Sequence, residues 1–380
     1  MRSEKDGASV TMSTILPAIG VGERWLAGVL TSAFASIRGV DNRLSLARSR
    51  RIIVILVDGL GAENLSTHKA HARTLTSLPS QSVLSNFPST TASSLATLAT
   101  GADPGQTGML GYAIRDPQTG EVVNQLSGLD AMDVSVWQPM PTVWELNADI
   151  PAVVISGERY RSSGLTAAIL RGAPYVGANT YADRVTAVRE FLAHNSEGVA
   201  YVYIPDLDQA AHQFGVASDQ WVRRLEDLDG FVAEVRRLIG PNDGLLLTAD
   251  HGVLDVPAVK HRIIPANSDL LHDVVTGGEP RFLHLYSERN PDELAEMWRA
   301  AEGGTAHVAT RDQAIAAGWF GEVSDAHRGR IGDVLVTPKG VTVYYDERTA
   351  TTQSMAMIGQ HGGLSRTETH VPLVRGGIFG

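Results

Sequence analysis

The sequence contains no cysteine. That removes disulfides, thiolate zinc sites and cysteine nucleophiles together, and it leaves the redox compartment open. A basic surplus is also missing: 32 Lys and Arg stand against 42 Asp and Glu, a formal charge of −10. Broad binding of a nucleic-acid backbone needs the opposite sign, so no stable nucleic-acid partner is expected. A small phosphorylated substrate stays open, because bound metal cations reverse the local sign. No uninterrupted apolar run approaches the ~18 residues of a membrane span, which predicts no membrane partner. The opening "MRSEKDGASVTMSTILPAIGVGERWL" has neither the apolar core of a signal peptide nor a small-residue cleavage pattern behind one. A cytoplasmic location is the expectation.

What is present is a globular composition. The 380 residues are 43% hydrophobic and 19% charged, enough to bury a large core. "RIIVILVDGLGAENL" (51–65) begins as a buried strand stopped at Asp58-Gly59. "PAVVISG" (151–157), "GVAYVYIPD" (198–206) and "GLLLTADHG" (244–252) read as further buried strands. "ADRVTAVREFLAHN" and "DQWVRRLEDLDGFVAEVRRLIG" (219–240) have helical spacing between them. Strands alternating with helices predict an α/β fold, a mostly parallel central sheet with helices on both faces. The stretch between His251 and His361 predicts a small inserted α+β subdomain over about 262–350, within one catalytic domain spanning 13–380.

Ligands gather beyond the carboxyl ends of the strands in such sheets. Asp58, Asp206 and Asp208, and Asp250-His251 are expected there, in loops after strands. "DLDQAAHQFG" sets Asp208 and His212 four apart, with Asp206 a rival to Asp208, and "GQHGGLS" presents His361 among glycines. Singly, each has a plain reading as a turn residue, a helix-surface pair or an exposed imidazole. Jointly, carboxylates and imidazoles at one sheet edge make two sets of oxygen and nitrogen ligands. That donor set suits Zn²⁺, with Mn²⁺ or Fe as competitors. Two such ions ~4 Å apart can clamp the attacking and leaving oxygens of phosphoryl transfer.

Phosphoryl transfer through the protein needs a nucleophile, and "NFPSTTASSLATLATGADPGQTG" (86–108) supplies candidates: Ser89, Thr90, Thr91, Ser93 and Ser94. Taken alone the run reads as N-caps for a helix over about Thr91 to Ala99, ended by Gly101. A hydroxyl at a helix N-terminus also faces unpaired N–H groups and the positive end of the dipole. A metal can lower its pKa enough for attack. One of these hydroxyls is therefore expected to act in the chemistry.

Taken together, "VILVDGLG", "FPSTTASSLATLATGADPGQTGM", "PDLDQAAHQFG", "LLLTADHGV" and "GQHGGLSRTETHVPLV" resemble the alkaline phosphatase superfamily. They are most similar to its nucleotide pyrophosphatase/type I phosphodiesterase branch, and the pieces occur in that family's order across residues 52 to 374. The resemblance implies an alkaline phosphatase-like catalytic domain. It also implies a nucleophile ten residues before the Gly that closes its helix, which is Thr91, with Thr90 as runner-up. By the same resemblance Asp58, Thr91, Asp250 and His251 would hold one metal ion, and Asp208, His212 and His361 the other. The implied reaction is in-line attack by Thr91 on phosphorus, followed by hydrolysis of the phospho-threonine.

The chain departs from that branch where substrate is held. Tyr112 occupies the position, twenty-one residues after Thr91, of an Asn that contacts a phosphoryl oxygen in the family. Ala92-Ser93-Ser94 replaces an aromatic-Pro-Asn sequence. Tyr112 is carried as a candidate substrate contact. No cysteine and no C-x-P-x-R motif argue against a cysteine-derived sulfatase. The expected function is hydrolysis of phosphate diesters or pyrophosphates of nucleotide type. The alternatives are a phosphomonoesterase or phosphonate C–P hydrolase on the same metals, and an inactive metal-stabilised binding protein. Arg159, Arg161 and Arg171 read as surface groups or as phosphate contacts, and Trp137 and Trp144 as core or as a stacking platform. Monomer and homodimer are equally open.

Overall fold

The computed structural model describes residues 16–380 apart from 21 and 24. Positions 13–15 of the expected catalytic domain therefore lie outside the described residues. In chain order the strands of the two larger sheets are β1 (Arg51–Val57), β2 (Ser80–Leu84), β3 (Ala152–Ser156), β4 (Tyr175–Gly177), β5 (Gly198–Ile204) and β6 (Asp243–Ala249). Next come β7 (Val274–Glu279), β8 (Phe282–Ser287), β9 (Ala306–Thr310), β10 (Val334–Pro338) and finally β11 (His370–Gly377). The helices that matter here are α1 (Ala27–Arg38), α2 (Thr91–Thr100), α3 (Tyr181–His194), α4 (Asp206–Phe214), α5 (Asp219–Leu238) and α6 (Pro291–Glu302).

One seven-stranded sheet has the order β2–β11–β6–β1–β5–β3–β4. β1 lies at its heart, parallel to both β5 and β6, and the Ile/Val/Leu run Ile52–Val57 is fully buried. Such a run, apolar on successive residues, marks a strand covered on both faces. α1 packs on α2 and against β1 and β5, while α3 packs on β3 and β5 and on α5. The expected fold class is the one observed: mostly parallel, with helices on both faces.

One strand runs against the rest. β11 is antiparallel to β6 and to β2, which leaves β2 aligned with the parallel set. This reversal matters for function. Because β11 starts at the edge where β1, β5 and β6 end, the segment before it, carrying His361, arrives at their carboxyl ends. β2 ends at that edge too and hands the chain on to the hydroxyl run before α2.

β7–β8–β10–β9 form a second, antiparallel sheet between β6 and β11. α6 packs on it through Leu294, Ala295 and Trp298, forming an apolar core of its own. The sheet is tied to the segment before α2 by Phe87, whose ring meets Phe282 at 4.8 Å and Trp319 at 5.5 Å. Among the described residues, no helix is long and apolar enough to cross a membrane.

Candidate active site

Three adjacent strands each deliver an acid to one edge. β1 runs straight into Asp58, β6 into Asp250 and His251, and β5 through Pro205 into α4. Asp206 and Asp208 were expected in a loop, but they lie in the first turn of α4, where acidic side chains complement the helix dipole. On that helix Asp208 and His212 are i and i+4 and share one face, with Nε2 of His212 3.2 Å from Oδ2 of Asp208. Gly59 makes the approach of α4 possible. Its φ is +75°, and a Cβ there would come within 3.0 Å of the Asp208 Cα.

Six of the residues singled out in the sequence fall into two groups. Asp58, Asp250 and His251 form one, fully buried; Asp208, His212 and His361 form the other, half-buried. In each group the ligand-type atoms lie within 4.8 Å of one another. The groups abut: the His251 and His361 rings stack at 3.6 Å, and His212 lies 5.3 Å from His361. Asp206 belongs to neither group.

The hydrogen bonds around these side chains leave a consistent set of atoms free. Asp58 uses Oδ2 to accept from the Tyr203 hydroxyl, and Asp250 uses Oδ1 to accept from the N–H groups of Gly59 (3.1 Å) and His251 (3.0 Å). Among the described residues Asp58 Oδ1, Asp250 Oδ2 and Asp208 Oδ1 are buried without a partner. Those first two atoms instead point toward Nε2 of His251, each at 3.4 Å. On the imidazoles, Nδ1 of His212 lies 2.8 Å from the Gly359 carbonyl and Nδ1 of His361 2.9 Å from that of Ser89. These bonds assign the proton to Nδ1, so in the neutral rings the Nε2 lone pair faces the carboxylates.

Lone pairs and bare carboxylate oxygens directed at one another repel unless a cation lies between them. Imidazole Nε2 with Nδ1–H bonded to a backbone carbonyl is also the arrangement of metal-ligating histidine. The residues therefore fit divalent cations, and their oxygen and nitrogen donors suit zinc, manganese or iron. Charge states agree. Burial, then the neighbouring Asp250 and Asp208, raises Asp58 well above the usual carboxylate range. Burial and Asp208 push Asp250 up to about 7. Burial, with His361 beside it, drives His251 well below the ordinary imidazole value. In the other group burial would raise Asp208, but His212, His361 and His251 outweigh it and hold it low. So many buried acids and imidazoles with displaced protonation mark a functional cleft.

The hydroxyl run resolves residue by residue. Thr91 is the first residue of α2, and its Oγ1 lies 3.1 Å from Nε2 of His251. Thr90 occupies the N-cap position but makes no side-chain cap; its hydroxyl lies beside the carboxyl of Glu279 instead. Ser89 donates to the Gly363 carbonyl at 2.7 Å and accepts from the N–H of Gly362, pinning the His361 loop. Ser93 accepts from Asn86 at 3.1 Å. Ser94 is buried within α2. Of these five hydroxyls, that of Thr91 is the one hydrogen-bonded to a metal-ligand candidate.

Two residues at the site carried no sequence signal. Tyr203 lies in a strand that reads only as buried, and Glu279 comes from the second sheet, far along the chain from Thr91. Tyr112 lines the cavity beside Thr91. Trp137 and Trp144 are core residues. Arg161 pairs with Glu158 and Arg171 with Glu145, and Arg159 lies over the Tyr160 ring at 4.6 Å.

Comparison with known proteins bears on this arrangement. Residues 52–364 match the family described as type I phosphodiesterase / nucleotide pyrophosphatase. No curated protein sequence matches the chain. Among solved structures it resembles human ectonucleotide pyrophosphatase / phosphodiesterase 5, with a TM-score of 0.68 at 16% identity over 85% of this chain and 87% of that one. An inactive Thr-to-Ala form of the murine protein in complex with AMP gives 0.66 at 16% over the same shares. Phosphonoacetate hydrolase from Sinorhizobium meliloti 1021, in complex with phosphonoacetate, gives 0.67 at 18%, over 87% of this chain and 91% of that one.

Proposed function

The chain belongs to the type I phosphodiesterase / nucleotide pyrophosphatase family, and from that premise we propose that it hydrolyses small phosphate diesters or pyrophosphates of nucleotide type with Thr91 as nucleophile. The observation that carries the reading is the placing of the Thr91 hydroxyl against His251, where two abutting groups of metal-ligand side chains have inward oxygens with no partner among the described residues. Asp58, Asp250 and His251, with Thr91, would hold one divalent ion and Asp208, His212 and His361 a second. Such ions, zinc by the donor set, supply Lewis-acid charge and lower the pKa of bound hydroxyl groups.

The chain's own residues do the rest. Thr91 gives its proton up to solvent, its Oγ1–P bond forms, and the bond from phosphorus to the leaving oxygen breaks in line, the leaving oxygen taking a proton from solvent. α2 starts without a side-chain cap, so the N–H groups of its first turn are free to face the phosphoryl oxygens. Water then attacks phosphorus, the Oγ1–P bond breaks and Thr91 recovers its proton. Two inversions give net retention. Tyr203 and the Gly59 and His251 N–H groups hold Asp58 and Asp250 in position from behind.

A diester fits better than a monoester, because two cavities of about 230 and 320 Å³ meet at Thr91 and would take one substituent each. The test is hydrolysis of bis-p-nitrophenyl phosphate against p-nitrophenyl phosphate by zinc-loaded protein. A clear preference for the diester is expected. Preference for the monoester would move the protein to the monoesterase side and discard the two-arm reading.

The ligand assignment has its own check. Asp250→Asn and His361→Ala should each weaken metal binding by at least about tenfold, the smallest loss seen even for groups behind the ligands. Elemental analysis after dialysis measures it, and unchanged metal in both variants would remove these residues from the ligand set.

A further inference from the structure

The two cavities are walled by different parts of the fold. The smaller mixes Leu95, Leu165 and Ile169 with Tyr160, Ser163 and Thr166, whereas the larger opens toward the second sheet and presents Tyr112, Glu279 and Gln360. Thr91, Leu126 and Asp208 line both, so the reacting phosphorus would sit at their junction.

Glu279 is out of place by the usual rules. It is only 8% exposed, and no Lys, Arg or His pairs with it among the described residues. The Thr90 hydroxyl lies beside its carboxyl, and Oε1 has no partner among the described residues. A buried acceptor left unsatisfied costs stability, so packing alone does not account for a glutamate here. The side chain is also held in place. It lies against Gly362, where a Cβ would come within 2.5 Å of its Cδ. Two residues on, Arg281 makes a fully buried ion pair with Glu368 at 2.6 Å, fixing the turn that carries Glu279. The second sheet thus delivers a fixed hydrogen-bond acceptor beside the nucleophile.

We propose that Glu279 is a specificity-determining residue that accepts a hydrogen bond from a hydroxyl on one arm of the substrate. The substrate class is then a phosphodiester or pyrophosphate with a hydroxyl-bearing arm, as in a nucleoside or polyol, seated in the Glu279 cavity. The other arm occupies the smaller cavity. This assignment rests on the diesterase reading above. A pocket built around such a hydrogen bond discriminates strongly against the analogue lacking the hydroxyl, because its own polar group is then left unpaired.

The test is binding, so it does not depend on turnover. Zinc-loaded Thr91→Ala protein is titrated with adenosine 5′-monophosphate and with its 2′,3′-dideoxy analogue, which differ only in the sugar hydroxyls. A preference of roughly tenfold for the hydroxylated nucleotide is expected. Glu279→Leu on that background should bring the ratio close to one. Glu279→Gln keeps the shape and an acceptor oxygen, should retain part of the preference, and serves if the leucine variant fails to fold. No preference at the outset, or a preference untouched by both substitutions, overturns the assignment. Lost preference in the variants supports it even if the wild type leaves bis-p-nitrophenyl phosphate intact, a result that would count against the reaction alone.

Discussion

Thr91→Ala is expected to lower kcat by about 10³-fold or more while the protein still binds metal, since losing a covalent nucleophile removes the step that splits the reaction in two. The geometry separates this outcome from a structural one. Thr91 is the first residue of α2 and makes no cap, so alanine leaves the helix start intact. Four of the six other ligand-type side chains, Asp58, Asp250, His212 and His361, keep their hydrogen bonds to Tyr203, Gly59, Gly359 and Ser89. Thr91→Ser keeps a hydroxyl and should restore part of the rate. Activity within about tenfold of wild type in the alanine variant would reject Thr91. Thr90 is a poor substitute, because its hydroxyl is turned toward Glu279 rather than toward the metal-ligand groups.

The sequence made the centre of this site readable because buried parallel strands announce themselves. Ile52–Val57 is apolar throughout and Leu245–Ala249 apart from Thr248, and acids standing where such runs stop sit at the carboxyl edge. The elements that complete the edge were silent. β2, "SQSVL", is mostly exposed and polar, and β11 carries Pro372, which weakens any strand reading. Yet β11, running antiparallel, is what returns His361 to the edge. Spacing placed His212 with Asp208 because four residues make one helical turn, whereas the position of Asp208 itself in a helix depends on where α4 begins. Glu279 and Tyr203 could not be found this way. Their contacts with Thr90 and Asp58 are made across the fold, and no local pattern encodes them.

The pair Arg281–Glu368 gives the second large effect. Both side chains are wholly buried, with Nη2 to Oε2 at 2.6 Å and Nε to Oε1 at 2.9 Å, and Glu368 also accepts from the Gly363 N–H, two residues from His361. Removing one partner of such a pair strands the other charge, so Arg281→Met should cost about 3–5 kcal/mol at pH 7. Glu368→Leu added to that variant should recover much of the loss, since an apolar replacement of both groups is often neutral. The pH dependence has a definite sign. Burial alone would raise Glu368, but Arg281, with Ser365 and Gly363 behind it, holds it below its ordinary value near 4.5. In the wild type its contribution is complete above that value and is lost as pH falls through the lower folded one. In Arg281→Met burial prevails, Glu368 titrates above its ordinary value, and acid relieves the stranded charge. The stability gap between metal-free wild type and metal-free Arg281→Met, measured by urea denaturation, should therefore narrow from pH 7 to pH 5. A gap that stays constant or widens would mean that the stranded carboxylate is not the source of the loss. Because the same pair fixes both the turn bearing Glu279 and the loop bearing His361, the variant should also bind zinc more weakly, which ties the second sheet's docking to the readiness of the metal site.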